Sequence, residues 1–196
     1  MSLYPIGRAR RLAKERLKDV LGTYLGAEIT AAVADDDWTT PPTMPGLSGP
    51  EAIFLTHPDM PDKLPRNFGV YVYIYEDAPR VIERTNSTTG STYKSTTTQD
   101  YKTVLLFQYE LDGDVADEDG NTPEVDVVMR HRADLYIEAV CNAIYTHAAT
   151  ANQPIHQVEL IDDMPITYLT DQYTALGAAT LTWRVTQLVS IPTPTC

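Results

Sequence analysis

Apolar positions along the chain change period several times, and each change predicts an element. Over residues 6–25, Ile6, Ala9, Ala13, Leu17, Val20, Leu21 and Tyr24 recur at spacings of three and four. That is the stripe of an amphipathic helix. Pro5 stands at its start, where a fixed φ is tolerated, and Gly22 and Gly26 loosen its end. Residues 35–50 have no period and hold Pro41, Pro42 and Pro45, which predicts a loop anchored by Trp38 and Met44. Residues 51–57 suggest a short strand, and Pro58, Pro61 and Pro65 forbid regular structure until Phe68.

Strict alternation begins at residue 69. Val70, Val72 and Ile74 point one way and Tyr71, Tyr73 and Tyr75 the other, so 69–76 is a strand with a tyrosine face. Tyrosine suits partly wet surfaces, so this face is read as an interface or as packing rather than as a cofactor platform. Another strand is expected over 80–85 and a return strand over 102–111. Between them, residues 86–100 are rich in Thr and Ser and poor in apolar side chains. Thr favours extended chain, so this segment is expected to project as an arm and to order on a neighbour.

After an acidic, turn-rich loop at 112–121, Thr122 and Pro123 offer an N-cap and a first helical residue. The helix to about His147 carries a stripe of Val125, Met129, Ala133, Tyr136, Val140 and Ile144. Strands are expected at 155–161, 166–169 and 178–191, the last preceded by Gly177. Strands joined by hairpins, with two helices on one face, predict a single α+β domain over 1–196. It is a mostly antiparallel sheet with an N-terminal helix and a second long helix packed on one face, an extended loop at 35–67 and the Thr-rich arm at 86–100.

Charge sharpens this picture. Residues 1–20 hold six basic side chains (Arg8, Arg10, Arg11, Lys14, Arg16 and Lys18) against Glu15 and Asp19, a net of +4. The remaining residues hold nine basic and 25 acidic side chains, a net of −16. An acidic body lacks the Lys and Arg that displace counterions from phosphate, so sequence-specific DNA binding is not expected. The basic helix face is expected to meet an acidic protein surface or a passing nucleic-acid backbone, or to stay solvated. No run approaches the ~20 apolar residues of a membrane span. The N-terminal arginines are followed by no apolar stretch of the signal-peptide kind. Cys141 and Cys196 lack a CxxC partner and suit a reducing cytoplasm.

Candidate chemistry is thin. The loop Asp112, Asp114, Asp117, Glu118 and Asp119 invites a calcium reading but fails the EF-hand template, because position five from Asp112 is Ala116. His57, His131, His147 and His156 share no metal spacing. Ser48 lacks a nucleophile-elbow pattern, and no phosphate-binding glycine loop is present. Asp162 and Asp163 are adjacent, so a strand would turn them to opposite faces. The chain is read as a non-enzyme without cofactor or metal.

The basic helix at 8–25, the tyrosine strand at 70–75, the Thr-rich arm at 86–100, the helix at 124–147 and the closing strand at 178–191 form an ordered pattern. It resembles the tail terminator and tail-completion (neck) proteins of tailed bacteriophages. The resemblance implies a structural virion protein, made in the host cytoplasm and built into the tail or neck. It implies a homo-oligomeric ring, a hexamer, that caps the tail tube and joins it to the neck while DNA passes without specific binding. Arg8, Arg11, Lys14, Tyr71, Tyr73, Tyr75, Thr88 and Thr96 are the expected interface residues. Asp112, Asp114, Asp117, Glu118 and Asp119 are the expected channel residues. A head-closure or other neck subunit is the alternative. A ligand-binding or enzymatic domain using the tyrosine face is the alternative of another class.

Overall fold

The structure, a computed structural model, describes residues 4–47, 52–55, 69–77, 81–89, 92–110, 115–149, 154–169 and 174–192. Its elements run β1 (Tyr4–Pro5), α1 (Ile6–Ala34), β2 (Ile53–Phe54), β3 (Gly69–Glu76), β4 (Val81–Thr89), β5 (Thr92–Glu110), α2 (Val125–His147), β6 (Gln157–Leu169) and β7 (Thr174–Pro192). The result is the expected α+β fold, in which both helices pack on one mostly antiparallel sheet.

Two strands of 19 residues form the spine of that sheet. Antiparallel β5 and β7 pair from Thr92 opposite Pro192 to Glu110 opposite Thr174, a ribbon about 60 Å long. The other edge of β5 is shared. Antiparallel β3 lies along Tyr101 to Gln108, and antiparallel β4 along Thr92 to Thr98. The other edge of β7 takes antiparallel β6 and then two parallel residues of β1. β2 adds a short parallel rung to β3.

Alternation sorts the two faces. Val72 stands opposite Leu105, and Tyr101 opposite Trp183. Val70, Val72, Ile74, Tyr101, Leu105, Phe107, Ala179, Leu181, Trp183 and Val185 therefore share one face, and all are buried in the main core. Helix side chains close this face. Tyr136 of α2 packs on Phe107 with ring centroids 4.8 Å apart, and Tyr145 meets the edge of Trp183 at 5.6 Å. The Tyr101 hydroxyl donates to the Arg10 carbonyl of α1 (3.4 Å), and Gln187 Nε2 donates to the Ala9 carbonyl (2.6 Å).

The first helix does not stop near residue 25. It continues through Gly22 and Gly26 to Ala34, because Ile29 and Ala32 prolong the buried stripe. Burying Ile29 yields about 1.5–3 kcal/mol, against about 1 kcal/mol for each helical glycine. The second helix begins two residues later than expected. Asn121 closes a turn on Asp117, the chain leaves it extended through Glu124, and Val125 is the first helical residue. Val125 is exposed, whereas Met129, Ala133, Tyr136, Val140 and Ile144 are buried as expected.

Both anchors of the proline loop hold. The Trp38 indole stacks on His131 at 4.0 Å, Met44 packs against the core, and the Tyr136 hydroxyl donates to the Pro45 carbonyl (2.7 Å). Antiparallel packing of α1 on α2 is fixed at two points. Asp36 meets His131 Nε2 (2.9 Å), and the Arg16 guanidinium donates to the His147 and Ala148 carbonyls. Arg16 thereby satisfies the orphan carbonyls at the end of α2.

The strand expected at 80–85 extends to Thr89, and the return strand begins at Thr92. Residues 92–98 therefore lie between β4 and β7, in a β4–β5 hairpin that pairs within the chain. Ser95, Thr97 and Gln99 are buried on the helix-covered face. Their polar side chains concealed this burial from a hydropathy reading. The strands expected at 155–161 and 166–169 are one strand, β6, with a register shift between Leu160 and Asp162.

Candidate interaction surfaces

The face of the sheet opposite the helices carries three bands. At one end, Thr96, Thr98 and Thr186 are half-buried. In the middle, Arg184 forms a two-point ion pair with Asp100 (3.0 and 3.1 Å), and Lys102 pairs with Asp77 (3.0 Å). The hydrogen bond to Asp77 raises the Lys102 pKa, with the charges of Asp77, Tyr75 and Asp162 adding to it against the effect of burial. At the other end stand Tyr71, Tyr73, Val104, Leu106, Thr180 and the exposed Met164.

Tyr71, Tyr73, Tyr75 and Thr96 thus share one face, as expected of a common surface, but Thr96 lies about 20 Å along the sheet from Tyr75. Tyr73 is a correction. It is fully buried, with Phe54 stacked at 5.1 Å, and burial followed by the neighbouring Tyr71 pushes its hydroxyl pKa up. It packs the face rather than presenting it. Tyr71 and Tyr75 remain half-buried. Thr88 pairs with Tyr93 in the β4–β5 hairpin, and its side chain lies outside the described residues.

The basic surface sits at the start of α1, on the other side of the sheet. Arg10 and Lys14 both pair with Glu76 at the end of β3, Lys14 at 3.4 Å. Arg11, 68% exposed, reaches Glu15 at 3.5 Å. Gly7, Arg10, Arg11, Lys14 and Glu76 line a pocket of about 250 Å³. Three cations against one carboxylate leave this lining at +2. Burial and then the Arg10 charge lower the Lys14 pKa. Arg8 is exposed beside it. Sequence reasoning missed Glu76, because nothing local ties a strand-end glutamate to a helix more than sixty residues earlier.

The acidic surface lies at the far end of α1, about 40 Å away at 1.5 Å per residue. The Thr39 N–H donates to the Asp117 carbonyl (3.2 Å), which ties the segment after Asp35 and Asp37 to the 117–119 turn. Asp117 is occupied. Its Oδ1 accepts from the N–H groups of Asp119 (3.1 Å) and Asn121 (2.8 Å). Glu118 and Asp119 stand exposed on the turn, which Gly120 completes at φ 77°. Asp112 and Asp114 lie outside the described residues. Among the described residues no group of three or more His, Cys, Asp or Glu could hold a metal ion. No helix among them is long and apolar enough to cross a membrane.

These ends oppose the helix's own macrodipole. The first turn of α1 holds no acidic residue and the last turn no basic one, while Arg8 sits near its positive end and Asp35 to Asp37 follow its negative end. No protein-family model matches this chain, and no curated protein matches it in sequence.

Proposed function

We propose that this chain is a structural subunit of a tailed-phage neck, of the tail terminator class, whose copies close into a ring on the tail tube. In this reading the ring is a hexamer, made in the host cytoplasm and built into the virion. Its partners are the tail tube and neck proteins, DNA passes without specific contacts, and the subunit has no catalytic role. The observation that carries the reading is the inequality of the two sides of the sheet. One side bears both helices and the basic pocket, and the other bears the ion-pair band with Tyr71 and Tyr75. Head-to-tail contacts join two unlike surfaces, and such contacts close into rings when the rotation permits.

The order of helix, strands, long helix and closing strands supports the same class, as does the acidic balance, which disfavours phosphate contacts. Light scattering on the purified chain, followed by electron microscopy of the particle, tests the reading. A ring of six copies is expected. A chain that stays monomeric at every concentration would sink it. A ring that binds the head connector instead of the tail tube would move it to the head-closure subunits.

A further inference from the structure

The two ends of α1 carry opposite charge, and nothing within one copy can bring them together. They lie about 40 Å apart along a rigid helix, several screening lengths at physiological salt. Glu76 and Glu15 offset part of the basic end and leave it net positive. The pocket at the basic end has a lining of +2 that includes the exposed Arg11. The acidic end presents Glu118 and Asp119, two adjacent exposed carboxylates, on a turn held by Asp117 before any partner arrives. Two negative charges on a preorganised turn match a net charge of +2, and preorganisation lowers the ordering cost of binding.

We propose that the basic pocket of Gly7, Arg10, Arg11, Lys14 and Glu76 receives the Glu118–Asp119 turn of a second copy of this chain. Asp35 and Asp37 flank the contact. The proposal rests on the reading that copies of this chain assemble, and it names the surfaces that meet. Arg11 is drawn only to Glu15 by an exposed pair at 3.5 Å, a contact weak enough to exchange for an incoming carboxylate. The helix supports both partners. Its N-terminal partial positive charge adds to the basic end, and its C-terminal partial negative charge adds to the acidic end.

Mixing charge-reversed full-length chains tests this contact. Arg11→Glu reverses the exposed charge of the basic pocket and takes its lining from +2 to zero, and Glu118→Lys with Asp119→Lys reverses the acidic turn. All three positions are exposed, and circular dichroism confirms that each variant folds. Sedimentation should show each variant self-associating on the order of tenfold more weakly than the wild type. An equimolar mixture should recover part of the association, because the glutamate placed at position 11 then meets the lysines placed at 118 and 119, and the unchanged pocket of one variant meets the unchanged turn of the other. Raising salt from about 0.05 M to about 0.5 M should weaken the wild type in the same direction. Arg11→Gln serves as the milder variant should Arg11→Glu misfold, with a smaller loss expected. A variant that associates like the wild type, or a mixture no tighter than its components, overturns the docking. If ring-sized particles survive both reversals, this contact falls and the ring stands. If the wild type never leaves the monomer, both fall.

Discussion

Gly177 has a specific steric job in β7. It stands opposite Phe107 across the sheet, and the Phe107 ring occupies the space a Cβ at 177 would need. The absent side chain lets that ring lie flat and meet Tyr136. Gly177→Ala is expected to cost about 1–3 kcal/mol, the usual range for overpacking, read as a lower urea midpoint at unchanged slope. Cys141 illustrates a different control. Burial, then the charges of Asp163 and Glu138, push its thiol pKa from 9.0 up to about 11. The thiolate is the reactive form, so alkylation at Cys141 should stay slow at pH 8 and rise only as pH approaches 11. Mass spectrometry of the modified peptide follows it. Rapid labelling at pH 8 would show the thiol to be less enclosed than this.

Among the elements, α1 is the informative one. Its charges run against its dipole, at about 0.3–1 kcal/mol for each exposed charge near an end, and two of its glycines face solvent. It persists because a stripe from Ala9 to Ala32 is buried against the sheet and α2. Local rules broken in one element and compensated by packing mark functional surfaces. Gly26 has no neighbour within 4 Å of where a Cβ would sit. Gly26→Ala is therefore expected to stabilise by about 0.5–1 kcal/mol, visible as a melting point raised by about 2–4 °C per kcal/mol. An unchanged or lower melting point would place a constraint at Gly26 that this packing lacks.

At the scale of the whole molecule, the β5–β7 ribbon ties the Thr-rich segment into the fold. Deleting residues 88–98 would strip β7 of its β5 partner from Thr186 to Pro192 and leave it only the short pairing with β1 and the end of β6 there. It would also remove Thr97, the residue opposite buried Gln187. The shortened chain should lose cooperative thermal unfolding and solubility, not merely assembly. A deletion variant that melts with the full chain would show that the end of β7 needs no partner.

Local pattern determined much of this protein. Alternation at Val70, Val72 and Ile74 specifies β3 and its buried face, because side chains of a strand change sides at every residue. The stripe from Met129 to Ile144 specifies the face of α2 for the equivalent helical reason. Trp38 and Met44 stood out as anchors because large apolar side chains in a polar loop are costly to leave in water. What lay beyond the sequence depends on contacts between distant residues. Whether α1 stops at residue 25 or at Ala34 was decided by what Ile29 and Ala32 could pack against. Which tyrosine of the alternating three is buried was decided by Phe54. That Thr97 and Gln99 lie beneath the helix layer follows from their register with β7. The separation of charge was legible as a net +4 against −16, but its geometry was not. The segment that follows Asp35 and Asp37 joins the turn of Glu118 and Asp119 at one end of α1, and Glu76 joins Arg10 and Lys14 at the other. Those neighbours are set by how the helices cross the sheet, a choice that only the energy of the packed chain makes.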